Sequence, residues 1–253
     1  MILIREKKLL NIRKMTIVGI LGGISIVLGM TPLGFIPVGP TRATIMHIPV
    51  IIGAIMEGPL VGGLIGLIFG LFSVFQAMTN PTPVSFVFLN PIVSVLPRVL
   101  IGVITYYVYK VSKDLGERKS FWILNILWGS IIIYLGYGIY KNFKTAESIW
   151  ALIMNILLIG LTLALGIYGK KKIKDKALDI VISTALGTLT NTVGVLSSIY
   201  LIYGERFVKS LGQNPGMARK VIFGNGVTNG IPEMIIGIIV VTNVVAALKT
   251  KVK

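Results

Sequence analysis

Residues 30–70 read MTPLGFIPVGPTRATIMHIPVIIGAIMEGPLVGGLIGLIFG and join two different kinds of sequence. The first half is broken by prolines and glycines, and it contains Arg42 and His47, the only histidine of the chain. A short apolar segment, a Glu-Gly-Pro turn and a glycine-rich apolar helix follow. Irregular backbone at membrane depth survives only against protein or a wet cavity, because its polar groups need partners. The pattern predicts a loop that covers a site, although an ordinary connecting loop would also fit it.

The composition indicates an integral membrane protein. The chain of 253 residues is 54% hydrophobic and only 13% charged, and its mean hydropathy is +0.86. Soluble domains carry about 25% charged residues. The net charge of +16 does not indicate binding to nucleic acid, because the basic residues cluster between apolar segments, where they act as topology signals. The chain has no cysteine, which excludes disulfides and thiolate metal sites.

The apolar segments predict an all-α integral membrane protein, with about eight spans in a single transmembrane domain over residues 1–253. Most segments have close to the ~20 residues that a helix needs to cross the bilayer. Segment 45–56 is too short to cross straight, so we expect it to begin below the membrane surface. The stretch 79–90, TNPTPVSFVFLN, contains two prolines that disfavour a regular helix. The candidate segments are 15–30, 45–56, 59–78, 91–109, 121–140, 148–169, 177–202 and 219–248.

The distribution of lysine and arginine predicts that both termini lie in the cytoplasm of a multi-pass protein of the cell membrane. With the N-terminus inside, the cytoplasmic stretches hold 17 of these residues and the outer stretches hold seven, while Arg98 lies within a span. Cytoplasmic loops carry the excess of positive charge in membrane proteins. The loop around Arg42 and the stretch 79–90 are therefore expected to face outward together.

The chain contains none of the sequence motifs that would indicate catalysis. It has no G-x-x-x-x-G-K-[ST] motif for phosphate binding, no H-E-x-x-H motif and no G-x-S-x-G motif. A single histidine cannot build a histidine metal site. We therefore expect neither an enzyme nor a bound cofactor. The paired broken helices of an inverted-repeat transporter are also not evident in the sequence.

The sequence resembles a known family over two long stretches. Residues 31–71, TPLGFIPVGPTRATIMHIPVIIGAIMEGPLVGGLIGLIFGL, and residues 81–110, PTPVSFVFLNPIVSVLPRVLIGVITYYVYK, are similar to the substrate-binding S component of an energy-coupling-factor (ECF) vitamin transporter. The resemblance is strongest to the pantothenate-type branch. It is dense over residues 15–110 and weaker over 177–248, where VISTALGTLTNTVGVL and NGVTNGIPEMIIG carry it.

The resemblance implies a six-helix bundle with a cavity near its outer face, under the loop that joins the first two helices. It also implies docking on a transmembrane coupling subunit that works with two ATPase subunits. This chain departs from the pattern by the inserted helix pair at 121–169. An even number of added spans leaves the orientation of later helices unchanged. The pair could be a passive addition at the edge of the bundle or a docking surface for a partner.

The first helix carries small residues at a spacing that permits close helix contact. Gly19 and Gly23 are four residues apart, as are Ser25 and Gly29, and such pairs let two helix backbones approach each other. The resemblance implies that small residues on this helix meet the coupling subunit. Packing within the bundle is the alternative. The predicted partner-docking residues are Gly19, Gly22, Gly23 and Ser25.

Polar and charged residues inside the later spans predict a binding site. Arg98 and Glu233 are ionisable residues at membrane depth, where charge is costly and usually functional. Asn225, Asn229 and Glu233 recur at i, i+4 and i+8 and so share one helix face. Hydrogen bonds between helices, or a structural pair of Arg98 with Glu233, would also explain these residues. The predicted substrate-binding residues are Arg42, His47, Asn90, Arg98, Asn191, Asn225, Asn229 and Glu233.

The sequence thus predicts a subunit that captures a small water-soluble vitamin at the outer face, for uptake driven by ATP hydrolysis in partner subunits. Pantothenate is the expected substrate by resemblance, and its carboxylate would suit Arg42 or Arg98. Riboflavin, folate or another vitamin remains open. A self-sufficient secondary transporter or channel, with Glu233 as a proton or cation site, is the alternative. A membrane-bound enzyme is a third alternative, for which the sequence offers no catalytic group.

Overall fold

The computed structural model is a bundle of membrane-length helices. It describes residues 11–38, 41–145 and 178–251, together with positions 152, 153, 156, 159, 160 and 163. Five helices in this part of the chain are long and apolar enough to cross a membrane, and Ile48–Glu57 forms a shorter apolar helix. The helices are α1 (Ile12–Met30), α2 (Ile48–Glu57), α3 (Pro59–Thr79), α4 (Pro91–Ser94), α5 (Leu96–Leu115), α6 (Glu117–Thr145), α7 (Leu178–Ser210) and α8 (Ala218–Lys251).

The helical membrane class expected from the sequence is confirmed, with one addition. The loop between α1 and α2 contains a short antiparallel hairpin of β1 (Phe35–Val38) and β2 (Thr41–Thr44). Its register pairs Phe35 with Thr44 and Pro37 with Arg42. A 3₁₀ turn, Pro32–Gly34, precedes β1. The loop is therefore partly ordered by backbone pairing, whereas its prolines and glycines had predicted irregular chain.

Glycines on α3 allow α5 to approach it closely. A Cβ atom on Gly62 would lie 2.9 Å from the Cα of Gly102, and one on Gly66 would overlap the backbone of Arg98. Only glycine fits at such contacts, so the glycine-rich sequence of α3 fixes the position of α5. The approach places the first turn of α5, with Arg98, against the middle of α3. Gly58, between α2 and α3, has a φ of +102°, which favours glycine.

The fourth span is not one continuous helix. α4 ends at Ser94 and α5 begins at Leu96, with Pro97 in its first turn. Proline suits the first turn of a helix because its missing N–H has no partner there in any case. A 3₁₀ segment, Ser85–Leu89, lies in the connection before α4. Near the break, the carbonyl of Val93 in α4 accepts a hydrogen bond from the side chain of Arg98.

The α2 helix lies in the centre of the bundle. Eight of its residues are buried, and five of them form a core with apolar residues of α3, α5, α7 and α8. These five are Ile48, Val50, Ile51, Ile52 and Ile55. The depth of α2 below the membrane surface stays a prediction.

The described part of the inserted pair packs on α7 and α8. Leu135 of α6 is 2% exposed and belongs to a cluster with Val181, Ile231 and Ile235, and Trp128 packs against the same cluster. Ile159 also packs there, although most of the second predicted inserted span, 148–169, lies outside the described residues. The count of six helices plus two therefore remains a prediction.

Candidate functional site

A carboxylate of the last helix holds the end of the hairpin. Glu233 is 6% exposed, and its Oε1 accepts hydrogen bonds from the backbone N–H and the hydroxyl of Thr44, both at 2.8 Å. Bonds to an ionised acceptor are among the stronger hydrogen bonds in proteins. Glu233 directly follows Pro232, which interrupts the hydrogen-bond ladder of α8. These two hydrogen bonds connect the loop between α1 and α2 to the middle of α8.

His47 lies at the start of α2 and is completely buried. Its Nε2 is 3.1 Å from the hydroxyl oxygen of Thr188 on α7, and its Nδ1 has no hydrogen-bond partner within the described chain. Gly237 of α8 comes close to both side chains, since a Cβ there would lie 3.7 Å from His47 Nε2. His47 is therefore inside the bundle.

Arg98 is 6% exposed and lies between two aromatic rings. Its Cζ is 5.5 Å from the ring centre of Phe69 and 5.8 Å from that of Phe88. Its Nη1 donates to the carbonyl of Val93 at the helix break, and its Nε has no hydrogen-bond partner among the described residues. The hydrogen bond from Nη1 thus stabilises the break, while the buried Nε–H remains without a partner in the described chain.

Arg98 and Glu233 do not form the direct ion pair that the sequence left open. Within the described residues the ion pair present is Arg13–Glu57, at 3.0 Å near the other end of the bundle. Arg98 and Glu233 instead have different hydrogen-bond partners, Val93 for the arginine and Thr44 for the glutamate.

Two asparagines place further polar atoms in this interior. Asn191 on α7 is 8% exposed, and its Oδ1 is buried without a partner in the described part of the chain. The Oδ1 of Asn229 on α8 is likewise buried without a partner there. Buried polar atoms are normally hydrogen-bonded, so each exception calls for an explanation. His47, Arg98, Asn191 and Asn229 each contribute such an atom from a different helix.

Asn90 has a local structural role in this structure. Its Oδ1 accepts from the N–H of Ile92 and so caps α4, and its Nδ2 donates to the hydroxyl of Tyr203 at 3.2 Å. Both polar ends of the amide are therefore occupied. The side chains of Arg42 and Asn225 lie outside the described structure, so their places in the site remain predictions.

The small residues of α1 fall on two faces. Gly22 and Ser25 face the bundle: a Cβ on Gly22 would lie 2.7 Å from Ile68 Cδ1, and Ser25 donates to the carbonyl of Met46 at 3.2 Å. At Gly19 and Gly23, by contrast, no atom of the described residues lies within 4 Å of where a Cβ would be. A partner that docks on α1 would therefore meet the face that carries Gly19 and Gly23.

The sequence reasoning missed three residues that shape this interior. Thr44 lies in the hairpin and had no periodic pattern to single it out. Phe69 and Phe88 flank Arg98 but appear in the sequence as ordinary apolar residues. The signal for Phe88 was its position in a segment where prolines break the helix, which indicates a chain that folds back over the bundle.

The fold and the site together define a helical membrane protein with a closed polar interior beneath a hydrogen-bonded loop. A family model for the substrate-specific component of ECF transporters matches residues 13–245. The chain therefore belongs to the family of ECF transporter substrate-specific components, as the resemblance indicated. These are substrate-binding transporter components and not an enzyme family. Membership implies a vitamin ligand and association with other ECF subunits.

Two curated relatives support this assignment. The chain is 26% identical over 224 residues to the pantothenic acid transporter PanT of Lactococcus lactis subsp. cremoris, across 83% of this chain and 79% of that protein. It is 40% identical over 78 residues to the pantothenate transporter PanT of Leuconostoc mesenteroides subsp. mesenteroides. The second alignment covers 30% of this chain and 38% of the relative.

Proposed function

We propose that this chain is the high-affinity substrate-binding subunit of an ATP-driven importer and that its substrate is pantothenate. The observation that carries the proposal is that buried polar atoms of His47, Arg98, Asn191 and Asn229 have no hydrogen-bond partner among the described residues. A ligand with an anionic group and several hydrogen-bonding groups would satisfy them. The names of the two relatives support pantothenate among the vitamins.

The uptake step would require partner subunits. We infer a transmembrane coupling subunit and two ATPase subunits, because the chain has no phosphate-binding motif of its own. Gly19 and Gly23 on the open face of α1 are the proposed contacts with the coupling subunit. We also infer that both termini are cytoplasmic and that the hairpin faces outward, from the 17 to 7 distribution of basic residues.

Vesicle transport separates this proposal from the secondary-transporter alternative. The purified chain alone should bind pantothenate but not accumulate it in proteoliposomes, with or without a proton gradient. Accumulation should appear when the coupling subunit, both ATPases and ATP are added. Uptake driven by a gradient through this chain alone would contradict the proposal and favour a secondary transporter in which Glu233 carries the coupled ion.

A matched pair of substitutions tests the site within the same preparation. Asn191→Leu should weaken pantothenate binding about tenfold or more, because it removes a buried acceptor that a ligand donor would otherwise satisfy. Asn243→Leu makes the same chemical change at an exposed position, where the amide donates to its own helix, and should leave affinity unchanged. Riboflavin and folate serve as competitor ligands. Equal affinities for Asn191→Leu and wild type would remove Asn191 from the site.

A further inference from the structure

A cleft lies between the end of α7 and the start of α8, and its lining does not include His47, Arg98, Asn191 or Asn229. It has a volume of about 790 Å³. Three cations line it, Arg206, Lys209 and Arg219, with Glu205 as the one carboxylate among its lining residues. None of the three cations has a carboxylate oxygen within 4.0 Å in the described structure. The cleft therefore carries a net positive charge that the described protein leaves unneutralised.

The described part of α7 is longer than the hydrocarbon layer is thick. At 1.5 Å per residue, its 33 residues span about 50 Å, against ~30 Å of hydrocarbon. The last turns of α7, which line the cleft, are therefore expected near the lipid headgroups. Tyr200 and Tyr203 both line the cleft, and tyrosine is enriched at the boundary between hydrocarbon and water.

Apolar side chains continue from the rim of the cleft toward the membrane. Leu201 and Ile202 line the cleft and are 79% and 43% exposed. Val193, two helical turns before Tyr200 and on the same face, is 55% exposed. The surface therefore changes, along one helix, from exposed aliphatic groups through tyrosines to cations. An acyl chain, a glycerol backbone and a phosphate have the same order of polarity.

Aromatic contacts hold the cationic side of the cleft in place. The Arg206 guanidinium carbon lies 4.3 Å from the ring centre of Phe86, and the Phe86 ring meets Tyr203 edge-on at 5.7 Å. On the other side, Tyr200 packs against Phe223 of α8 at 5.6 Å. A contact between a cation and an aromatic ring orients the guanidinium group without cancelling its charge.

We propose that this cleft binds the headgroup of an anionic glycerophospholipid, with the phosphate at Arg206, Lys209 and Arg219 and the acyl chains along the exposed aliphatic face. Basic side chains near a membrane surface attract anionic headgroups, and arginine pairs with phosphate through two parallel hydrogen bonds. The site is separate from the vitamin site and does not depend on which vitamin binds.

The test is a lipid titration of the purified protein in detergent, followed by native mass spectrometry and melting temperature. Phosphatidylglycerol is compared with phosphatidylcholine of the same acyl chains. Wild type should bind one phosphatidylglycerol at least tenfold more tightly than phosphatidylcholine and should melt higher with it. Combining Arg206→Gln, Lys209→Gln and Arg219→Gln should abolish the preference. Retention of the preference in this triple variant would overturn the proposal.

Adjacent residues on α8 provide the matched control. Arg219→Gln should weaken phosphatidylglycerol binding about fivefold, the effect of one cation near an anionic surface. Lys220→Gln removes the same charge from an exposed position that does not line the cleft and should change binding less than twofold. Equal losses in both variants would mean that only general surface charge attracts the lipid.

Two water-soluble probes separate a lipid from other sources of the same anionic chemistry. Inorganic phosphate and glycerol 3-phosphate should not reproduce the stabilisation, because neither has acyl chains for the aliphatic face. If either probe stabilises the protein as strongly as phosphatidylglycerol, the cleft is a site for soluble anions and the lipid proposal is wrong. Pantothenate affinity in lipid-free detergent should be equal for wild type and the triple variant. A parallel loss there would instead assign the cleft to substrate entry.

Discussion

Thr44 and Glu233, 189 positions apart in sequence, are joined by two hydrogen bonds of 2.8 Å to a single carboxylate oxygen. Thr44 is the last residue of β2, directly before the chain turns into α2. The contact therefore connects the covering hairpin to the last helix beside the polar interior. Since the donors are a backbone N–H and a hydroxyl, a side-chain change at Thr44 removes one bond and leaves the other.

Thr44→Val should accelerate the release of bound vitamin. The variant retains the backbone bond to Glu233 but loses the hydroxyl bond, which is worth about 1.5–3 kcal/mol when the acceptor is charged. A less stable closed loop should raise the dissociation rate about tenfold or more, with a smaller change in the association rate. Stopped-flow measurement of dissociation would show this effect.

The matched control is Thr79→Val on α3, where an exposed hydroxyl donates to its own helix. Its dissociation rate should equal that of wild type. If Thr44→Val also leaves the rate unchanged, the hydrogen bond from Thr44 does not control the closing of the loop.

Arg98→Ala should weaken the binding of a carboxylate ligand by about one to two decades in dissociation constant. Its positive charge and its buried Nε, which has no hydrogen-bond partner in the described part of the chain, make Arg98 the expected partner of the anionic group. Arg98→Lys should recover only part of the affinity, because lysine keeps the charge but lacks the planar fork of donors. Isothermal titration with pantothenate would measure these differences. Unchanged affinity in well-folded Arg98→Ala would exclude Arg98 from the site.

The separation of Arg98 from Glu233 also predicts how the two residues combine in stability. Breaking a direct buried pair leaves an uncompensated charge, and neutralising both partners then restores stability. Because no such pair is present among the described residues, Arg98→Met combined with Glu233→Gln should melt no higher than the less stable single variant. Recovery of the melting temperature in the double variant would show that the two side chains pair directly.

The sequence was sufficient for the class of fold and for the two buried charges, for a simple physical reason. Apolar segments of membrane length have few alternatives to helix, because every backbone polar group must be satisfied within the segment. Charged residues are rare at that depth, so Arg98 and Glu233 stood out. The residues that contact Arg98 and Glu233 did not stand out. Spacing along a helix shows which residues share a face, but it does not show which residues of other helices lie opposite that face.

The sequence was less informative where local contacts decide a residue's role. The hairpin of β1 and β2 depends on pairing between residues up to nine positions apart in a proline-containing loop, which leaves no periodic signal. Asn90 looked like a candidate ligand, yet Asn-Pro at 90–91 is also the pattern of a capping residue followed by proline at the first helical position. That second reading describes the hydrogen bond that Asn90 makes to Ile92.

Thiol labelling of intact cells should establish the orientation, because the chain has no natural cysteine. Single cysteines at Ser210 and Lys144 should react with a membrane-impermeant reagent, and one at Lys172 should react only after the membrane is permeabilised. The 17 to 7 distribution of basic residues motivates this pattern. The reverse labelling pattern would place the hairpin and its site on the cytoplasmic side.

Neighbouring glycines on α1 should separate docking from packing. Gly19→Leu combined with Gly23→Leu adds side chains to the face of α1 where no described residue lies within 4 Å of the added Cβ. Melting temperature and pantothenate affinity should therefore stay near wild type, while ATP-driven uptake should fall. Gly22→Leu places a side chain against Ile68 inside the bundle and should lower the melting temperature, since overpacking a close contact costs about 1–3 kcal/mol. Uptake, affinity and melting temperature are measured on both variants. If docking uses the face with Gly19 and Gly23, the double variant should lose uptake but keep its melting temperature, and Gly22→Leu should lose melting temperature. If the Gly19 and Gly23 variant loses affinity and stability to the same degree as Gly22→Leu, these glycines pack the bundle and the coupling subunit binds elsewhere.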